Sequence, residues 1–219
     1  MNDQKTSAQL RYLEELALCL RREGLQAAQT EGGEMLRVSR DDVHLCRVSG
    51  EGTVFYKQEL VDALDAQAEL DQVADIANTT REYMAMLAYA PPLKAQGLTG
   101  DYRILADFNT AVLAAHPTGQ GVQFVVWDWD FDRRGVHHGG YYQECYRAAK
   151  RDFASRSSLI SGDHLFSDAQ LIEIYRCCAD TIEGELDISE AQRDIILGVQ
   201  EQIEYCLPDI GEQIREQIM

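Results

Sequence analysis

Near its start the chain carries Leu10, Leu13, Leu16, Ala17 and Leu20 at steps of three and four, a spacing that predicts a helix over Ala8–Glu23. The period then shortens. Met35–Val38, Val43–Val48 and Thr53–Tyr56 are strand-like runs, punctuated by Gly32-Gly33 and Gly50-Glu51-Gly52. A helical stretch returns from about Gln58 to Ala90, with room for one break, until Pro91-Pro92 stops it. Lys94–Gly100 reads as a linker, which divides the chain into an N-terminal helix–meander–helix domain (1–92) and a C-terminal domain (93–219). In the second part Tyr102–Asn109 and Ala111–Ala115 are expected strands, and Tyr142–Ser155 is an expected helix. Ser167-Asp168-Ala169-Gln170 and Ser189-Glu190-Ala191-Gln192 fit the capping box that opens helices. The last helix carries Ile195, Val199, Ile203, Leu207, Ile210, Ile214 and Ile218 on one stripe, with Pro208 as a kink or restart. The fold class is therefore α+β: two small antiparallel β-meanders flanked by helices, and a helical, acidic C-terminal region.

The sharpest local pattern follows Gly119-Gln120-Gly121. Phe124-Val125-Val126-Trp127-Asp128-Trp129-Asp130-Phe131-Asp132 ends in strict aromatic/carboxylate alternation and leads into Gly135-Val136-His137-His138-Gly139-Gly140. Residues two apart on a strand share a face, so Trp127, Trp129 and Phe131 are expected inward and Asp128, Asp130 and Asp132 outward. Carboxylates at that spacing, about 6.5–7 Å, repel by roughly 0.6 kcal/mol in water and about four times that at an effective dielectric near 20. They are cheap on a wet surface, where Arg103, Arg133 or Arg134 could pair with them, and costly in a closed site unless a cation joins them.

Charge changes the picture more than size does. The chain has 219 residues and a net charge of −17. Gln58–Thr80 holds six acids and no base, and Leu165–Met219 holds thirteen acids against three arginines, whereas Asp101–Ser157 balances seven acids with seven bases. Such acidity argues against direct binding to a phosphate backbone, whose affinity comes from lysine and arginine. It suits a protein partner with a basic surface, and the interaction residues expected are Glu59, Asp62, Asp65, Glu69, Glu201, Glu204, Glu212 and Glu216. Plain solvation of helix faces would give the same pattern. The first residues lack the order of a signal peptide, and no apolar run approaches the roughly 18 residues a bilayer needs, so a soluble, cytoplasmic protein without membrane contact is expected. Cys19, Cys46, Cys145, Cys177, Cys178 and Cys206 show no CxxC spacing and read as buried free thiols.

The candidate chemistry lies at the aspartate run. A divalent metal could be held by Asp128, Asp130 and Asp132 with His137 or His138, which would make a metal-dependent phosphoester hydrolase the alternative function; otherwise no cofactor is expected. Adjacent histidines diverge on a regular strand, and the surrounding glycines also fit a hairpin that the histidines merely cap. Haloacid-dehalogenase phosphatases share the DxD but want threonine or valine at Asp132 and a parallel scaffold. The calcium loop wants glycine at Arg133 and glutamate at Gly139. Arg147, Lys150, Arg151 and Arg156 form a basic stripe, expected to be solvated or paired with C-terminal acids.

One family resemblance rests on Tyr102-x-x-Leu105-x-x-Phe108-Asn109, Val112-Leu113-Ala114, Phe124-Val125-x-Trp127-x-Trp129-Asp130-x-Asp132, Gly135-Val136-x-x-Gly139-x-Tyr141 and Ala148-Ala149-Lys150-x-Asp152-Phe153-Ala154-x-Arg156-Ser157. This stretch resembles an uncharacterised domain of the large polyvalent protein-associated kind, found in conjugative and other mobile elements of gut Firmicutes. Gly140 departs from it, standing where histidine is expected. The resemblance implies a bacterial mobile-element setting and transfers no catalytic residues. Together with the charge layout it leads to the expected function: a non-enzymatic acidic interaction or accessory protein of a mobile element, one form of which is a nucleic-acid-mimicking inhibitor of host defence.

Overall fold

A computed structural model describes residues 2–161, 166–184, 188–207 and 210. Among them the chain forms six helices and two four-stranded antiparallel meanders, an α+β fold. It divides into two compact units, Met1–Ile160 and Ser161–Met219. Both sheets thus belong to the first unit, and its limit lies at Ile160 rather than at Pro92.

In that unit α1 (Asn2–Arg22) is followed by β1 (Gln26–Gln29), β2 (Met35–Arg40), β3 (Val43–Ser49) and β4 (Val54–Phe55), paired in that order. Leu13, Leu16 and Leu20 of α1 are buried against Leu36, Val38, Cys46 and Val48 of the sheet. Burying each such leucine contributes roughly 1.5–3 kcal/mol, which fixes the helix on this face. The opposite face is open, with Arg37 and Arg47 paired across it. The expected helix from Gln58 breaks once: α2 (Gln58–Leu64) ends where Asp65 turns left-handed (φ 49°), and α3 (Gln67–Leu87) continues. Val73 and Ala77 of α3 complete the first core.

The second sheet runs β5 (Arg103–Phe108), β6 (Ala111–Thr118), β7 (Gly121–Trp129) and β8 (Val136–Gln143), and leads into α4 (Tyr146–Arg156). Its two central strands are buried on both faces. On one, Phe124 and Val126 pack with Tyr83 of α3 and with Tyr146, Ala149 and Phe153 of α4. On the other, Val125 and Trp127 meet Leu93, Leu98 and Tyr102. The expected linker is therefore a strap. Pro91 O accepts from Ile104 N–H (2.9 Å), Tyr102 O accepts from Leu93 N–H (2.8 Å), and the Tyr102 ring stands edge-on to Trp127 at 4.9 Å.

β7 also ends earlier than its alternation suggests. Pairing stops at Trp129, and Asp130, Phe131 and Asp132 lie in the connection to β8. Trp127 faces the core and Trp129 is half-buried, but Phe131 is fully exposed, so the expected inward row of three rings holds for its first two members only.

In the second unit α5 (Asp168–Glu183) and α6 (Glu190–Cys206) both open on complete capping boxes, Ser167 with Gln170 and Ser189 with Gln192. Ile203 is buried, whereas Ile195 and Leu197 are exposed. Pro208, Ile214 and Ile218 of the expected stripe lie outside the described residues.

Candidate functional site

Where β7 leaves the sheet, its three aspartates part company. Asp130 closes the turn: its Oδ1 accepts from Gly135 N–H at 2.6 Å, its N–H donates to Gly135 O, and its carbonyl accepts from Arg133 N–H. A Cβ on Gly135 would sit 2.4 Å from Asp130 Oδ2, so only glycine lets the carboxylate fold back onto the chain. Asp132 caps Arg134 N–H and lies 3.4 Å from the Arg134 guanidinium. Arg133, left-handed at φ 56°, turns away to Asp107 and lies over the Trp129 ring at 5.0 Å. Asp130 and Asp132 are thus turn residues, and the structure does not bring them to a common point with the histidines.

Asp128 behaves differently. It is half-buried and paired across the ladder with His137. Between Gly140 and His137 the β8 strand carries one residue more than β7 does between Val126 and Asp128. This bulge falls at His138, which is left-handed at φ 51°. A bulge re-aims a side chain. Here it cancels the divergence of adjacent strand residues, so the two imidazoles stand with ring centres 4.5 Å apart. His138 Nδ1 is 3.6 Å from Asp128 Oδ2, and one ligating atom from each of Asp128, His137 and His138 lies within 4.8 Å of the others. Three of the five residues expected to hold a metal therefore converge. Both histidines are exposed; the site is an open rim, not a pocket.

Arg156 of α4 backs this rim. Its guanidinium donates to His138 O and lies 3.6 Å from Asp128 Oδ2, while its Nε is 2.8 Å from Asp152. Burial works against the Arg156 charge, but Asp152 and then Asp128 outweigh it and raise the guanidinium above its ordinary value; Tyr142, whose phenol is pushed up first by burial and then by Asp152, completes the cluster. Two more residues of the basic stripe pair with α3 acids: Arg147 with Asp75, and Lys150 with Glu82 at 3.0 Å.

The expected interaction residues also sort by structure. Glu59, Asp62 and Asp65 are exposed along and just beyond α2 and make no ion pair among the described residues; the Asp62 carboxylate accepts from the Gln58 amide. Glu69 is engaged by Arg40, and Glu204 accepts from Tyr175 at 2.6 Å. Glu201 is exposed, and Glu212 and Glu216 lie outside the described residues.

Sequence reasoning missed Glu15, which is 7% exposed on α1 and accepts from Tyr83 O–H (2.9 Å) and Val122 N–H (3.0 Å). Its only signal was a carboxylate between Leu13 and Leu16 on an apolar face. A cleft of about 860 Å³ is lined by α1 and α3 residues with Tyr89, Asp101 and Arg103, away from Asp128 and the histidines. Cys46 is buried, but Cys145 and Cys177 are exposed, so the thiols are not uniformly internal. Among the described residues no helix is long and apolar enough to cross a membrane. Compared with protein families, with curated proteins and with solved structures, the chain matches none.

Proposed function

We propose that this chain is a non-enzymatic interaction protein whose unneutralised carboxylates meet a basic protein surface. One contrast carries the reading. Around the second sheet most acids have a neighbouring cation: Asp101 has Arg103, Asp107 has Arg133, Asp132 has Arg134, and Asp128 and Asp152 share Arg156. On α2, Glu59 and Asp62, with Asp65 beyond them, have no such partners among the described residues, and the C-terminal stretch carries thirteen acids against three arginines. A solvated field of one sign speeds encounter with a surface of the other, and that effect falls with salt. Partners of this kind include proteins whose basic surface ordinarily holds nucleic acid, in the mobile-element setting expected from the resemblance of Tyr102–Phe166.

The alternative, a metal-dependent phosphoester hydrolase, places Asp128, Asp130, His137 and His138 around one ion; Asp130 is committed to the turn instead. The test is affinity capture from bacterial lysate with the full chain and with Glu59→Lys/Asp62→Lys/Asp65→Lys. Capture of a basic protein by the wild type, weakened by added salt and by the triple variant, supports the reading. Retention of no basic protein, or equal retention by the variant at every salt concentration, overturns it.

A further inference from the structure

We propose that Asp128, His137 and His138 form a binding site for a borderline divalent transition metal, with Zn²⁺ as the representative ion. The donor set is the first reason. Two imidazole nitrogens and one carboxylate suit zinc, cobalt, nickel or copper, whereas magnesium and calcium take oxygen ligands. Geometry is the second. Zinc–nitrogen and zinc–oxygen bonds of about 2.0–2.2 Å in a tetrahedron set the donors roughly 3.3–3.5 Å apart. The donors here lie within 4.8 Å of one another, and His138 Nδ1 is already 3.6 Å from Asp128 Oδ2. The remaining closure falls to exposed imidazoles, whose rotamers are free to adjust.

The backbone around the cluster is built for this convergence. His138 holds a left-handed conformation that side chains seldom adopt, and that conformation turns it to the side of His137. The bulge needs glycine beside it: a Cβ on Gly139 would lie 2.6 Å from Trp127 Nε1, so the strand can pass the buried indole only without a side chain. Trp127 is 4% exposed and gives the hairpin a rigid floor. Sites on rigid elements hold their geometry better than sites on loops.

Arg156 is the obvious objection, a cation 3.6 Å from the proposed carboxylate ligand. Its charge, however, is met by Asp152 at 2.8 Å, so two carboxylates, Asp128 and Asp152, face the one guanidinium. By donating to His138 O, the same guanidinium pins the bulge, an outer-shell role of the kind that orients metal ligands. Three protein ligands leave a coordination position for water or for a donor from another molecule.

Cobalt(II) titration of the full chain tests the site, because its visible spectrum separates nitrogen and oxygen ligation from thiolate ligation. A Cys145→Ser/Cys177→Ser/Cys178→Ser/Cys206→Ser background leaves Cys19 and Cys46 as the remaining thiols of the six. His137→Gln/His138→Asn is the site variant; asparagine tolerates the left-handed backbone at position 138, so the hairpin is kept. One cobalt bound per chain without a thiolate band, displaced by Zn²⁺, and an affinity at least about tenfold weaker in the site variant support the proposal. Absence of binding, or binding unchanged in the site variant, overturns it. Neither outcome bears on the acidic surface of α2, so this site and the proposed partner surface stand or fall separately.

Discussion

Glu15→Ala is the perturbation that most directly tests how the first unit is held together. Glu15 belongs to the helix that covers the first sheet, yet its Oε1 accepts from Val122 N–H at the start of β7 and from Tyr83 O–H on α3. Pairing with β8 reaches only as far as Phe124, so this carboxylate supplies the Val122 amide with an acceptor beyond the end of the edge strand. Tyr83 is itself packed on Phe124 at 5.0 Å and Tyr146 at 5.3 Å, and its phenol is pushed well up, first by burial and then by Cys19 and Glu15. Alanine leaves the Val122 amide without an acceptor and the Tyr83 hydroxyl with only the weakly accepting Cys19 sulfur at 3.4 Å, at about 1–3 kcal/mol each. Removing the carboxylate also removes its own desolvation penalty, so a net loss of about 3 kcal/mol is expected. For a unit of this size that lowers Tm by roughly 6–12 °C. Glu15→Gln keeps an acceptor in place and should lose only about 1 kcal/mol.

Calorimetry reads the loss, and hydrogen exchange locates it. In Glu15→Ala the amides of β7 and of β2–β3 should lose protection together, since the bond joins a helix over one sheet to a strand of the other. A cycle with Tyr83→Phe should show a coupling of about 0.5–3 kcal/mol. Equal stability of the alanine and glutamine variants would refute the reasoning. So would a loss of protection confined to one sheet.

Two further predictions concern groups whose titration is displaced. Burial pushes the Cys46 thiol up to about 12, so at pH 8 iodoacetamide should label the exposed Cys145 and Cys177 while leaving Cys46 untouched until the chain unfolds; mass spectrometry showing Cys46 modified as fast as the other two would contradict this. His44 is held below its ordinary 6.5, chiefly by burial and further by Arg37, Arg47 and Lys57, although its contact with Val38 O opposes the shift. The unfolded chain therefore takes up the proton first. The stability due to neutral His44 is present above pH 6.5 and declines as pH falls from there toward the lowered folded value. Denaturant titrations from pH 7.5 to 5.5 should show wild type losing more stability than His44→Asn, and parallel curves would refute it.

Elements whose apolar positions repeat on one face were legible from the residues alone. The capping boxes of α5 and α6 stand where cap chemistry places them, and α1 ends where spacing places it but begins earlier, at Asn2. β1 was not legible, because Gln26-Ala27-Ala28-Gln29 has no branched or aromatic residue and buries only Ala27; it is a strand because β2 pairs with it. Lys94–Gly100 looked like a linker because it is short of periodicity, yet two hydrophobic side chains, Leu93 and Leu98, were enough to lay it across the second sheet. Phe124-Val125-Val126-Trp127 is a continuous apolar run of the kind that buries both faces. The alternation that follows it drew attention to one face only.

That alternation fails for a physical reason. A period of two assigns faces only while the strand remains paired, and pairing here ends at Trp129. What ends it is turn chemistry: a carboxylate at Asp130 that accepts its ring-closing bond from Gly135, with Arg133 left-handed between them. An aspartate followed five residues later by a glycine was a turn signal embedded in a strand signal, and the turn prevailed because Gly135 has no Cβ to obstruct the carboxylate. The convergence of the two histidines was hidden more deeply. Adjacent strand residues point apart unless a bulge intervenes, and this bulge depends on His138 adopting φ 51° beside two glycines. Gly139 and Gly140 therefore mark the place where the histidines are turned onto one side, and the three aspartates that looked like one row serve as a candidate ligand, a turn closure and a turn cap.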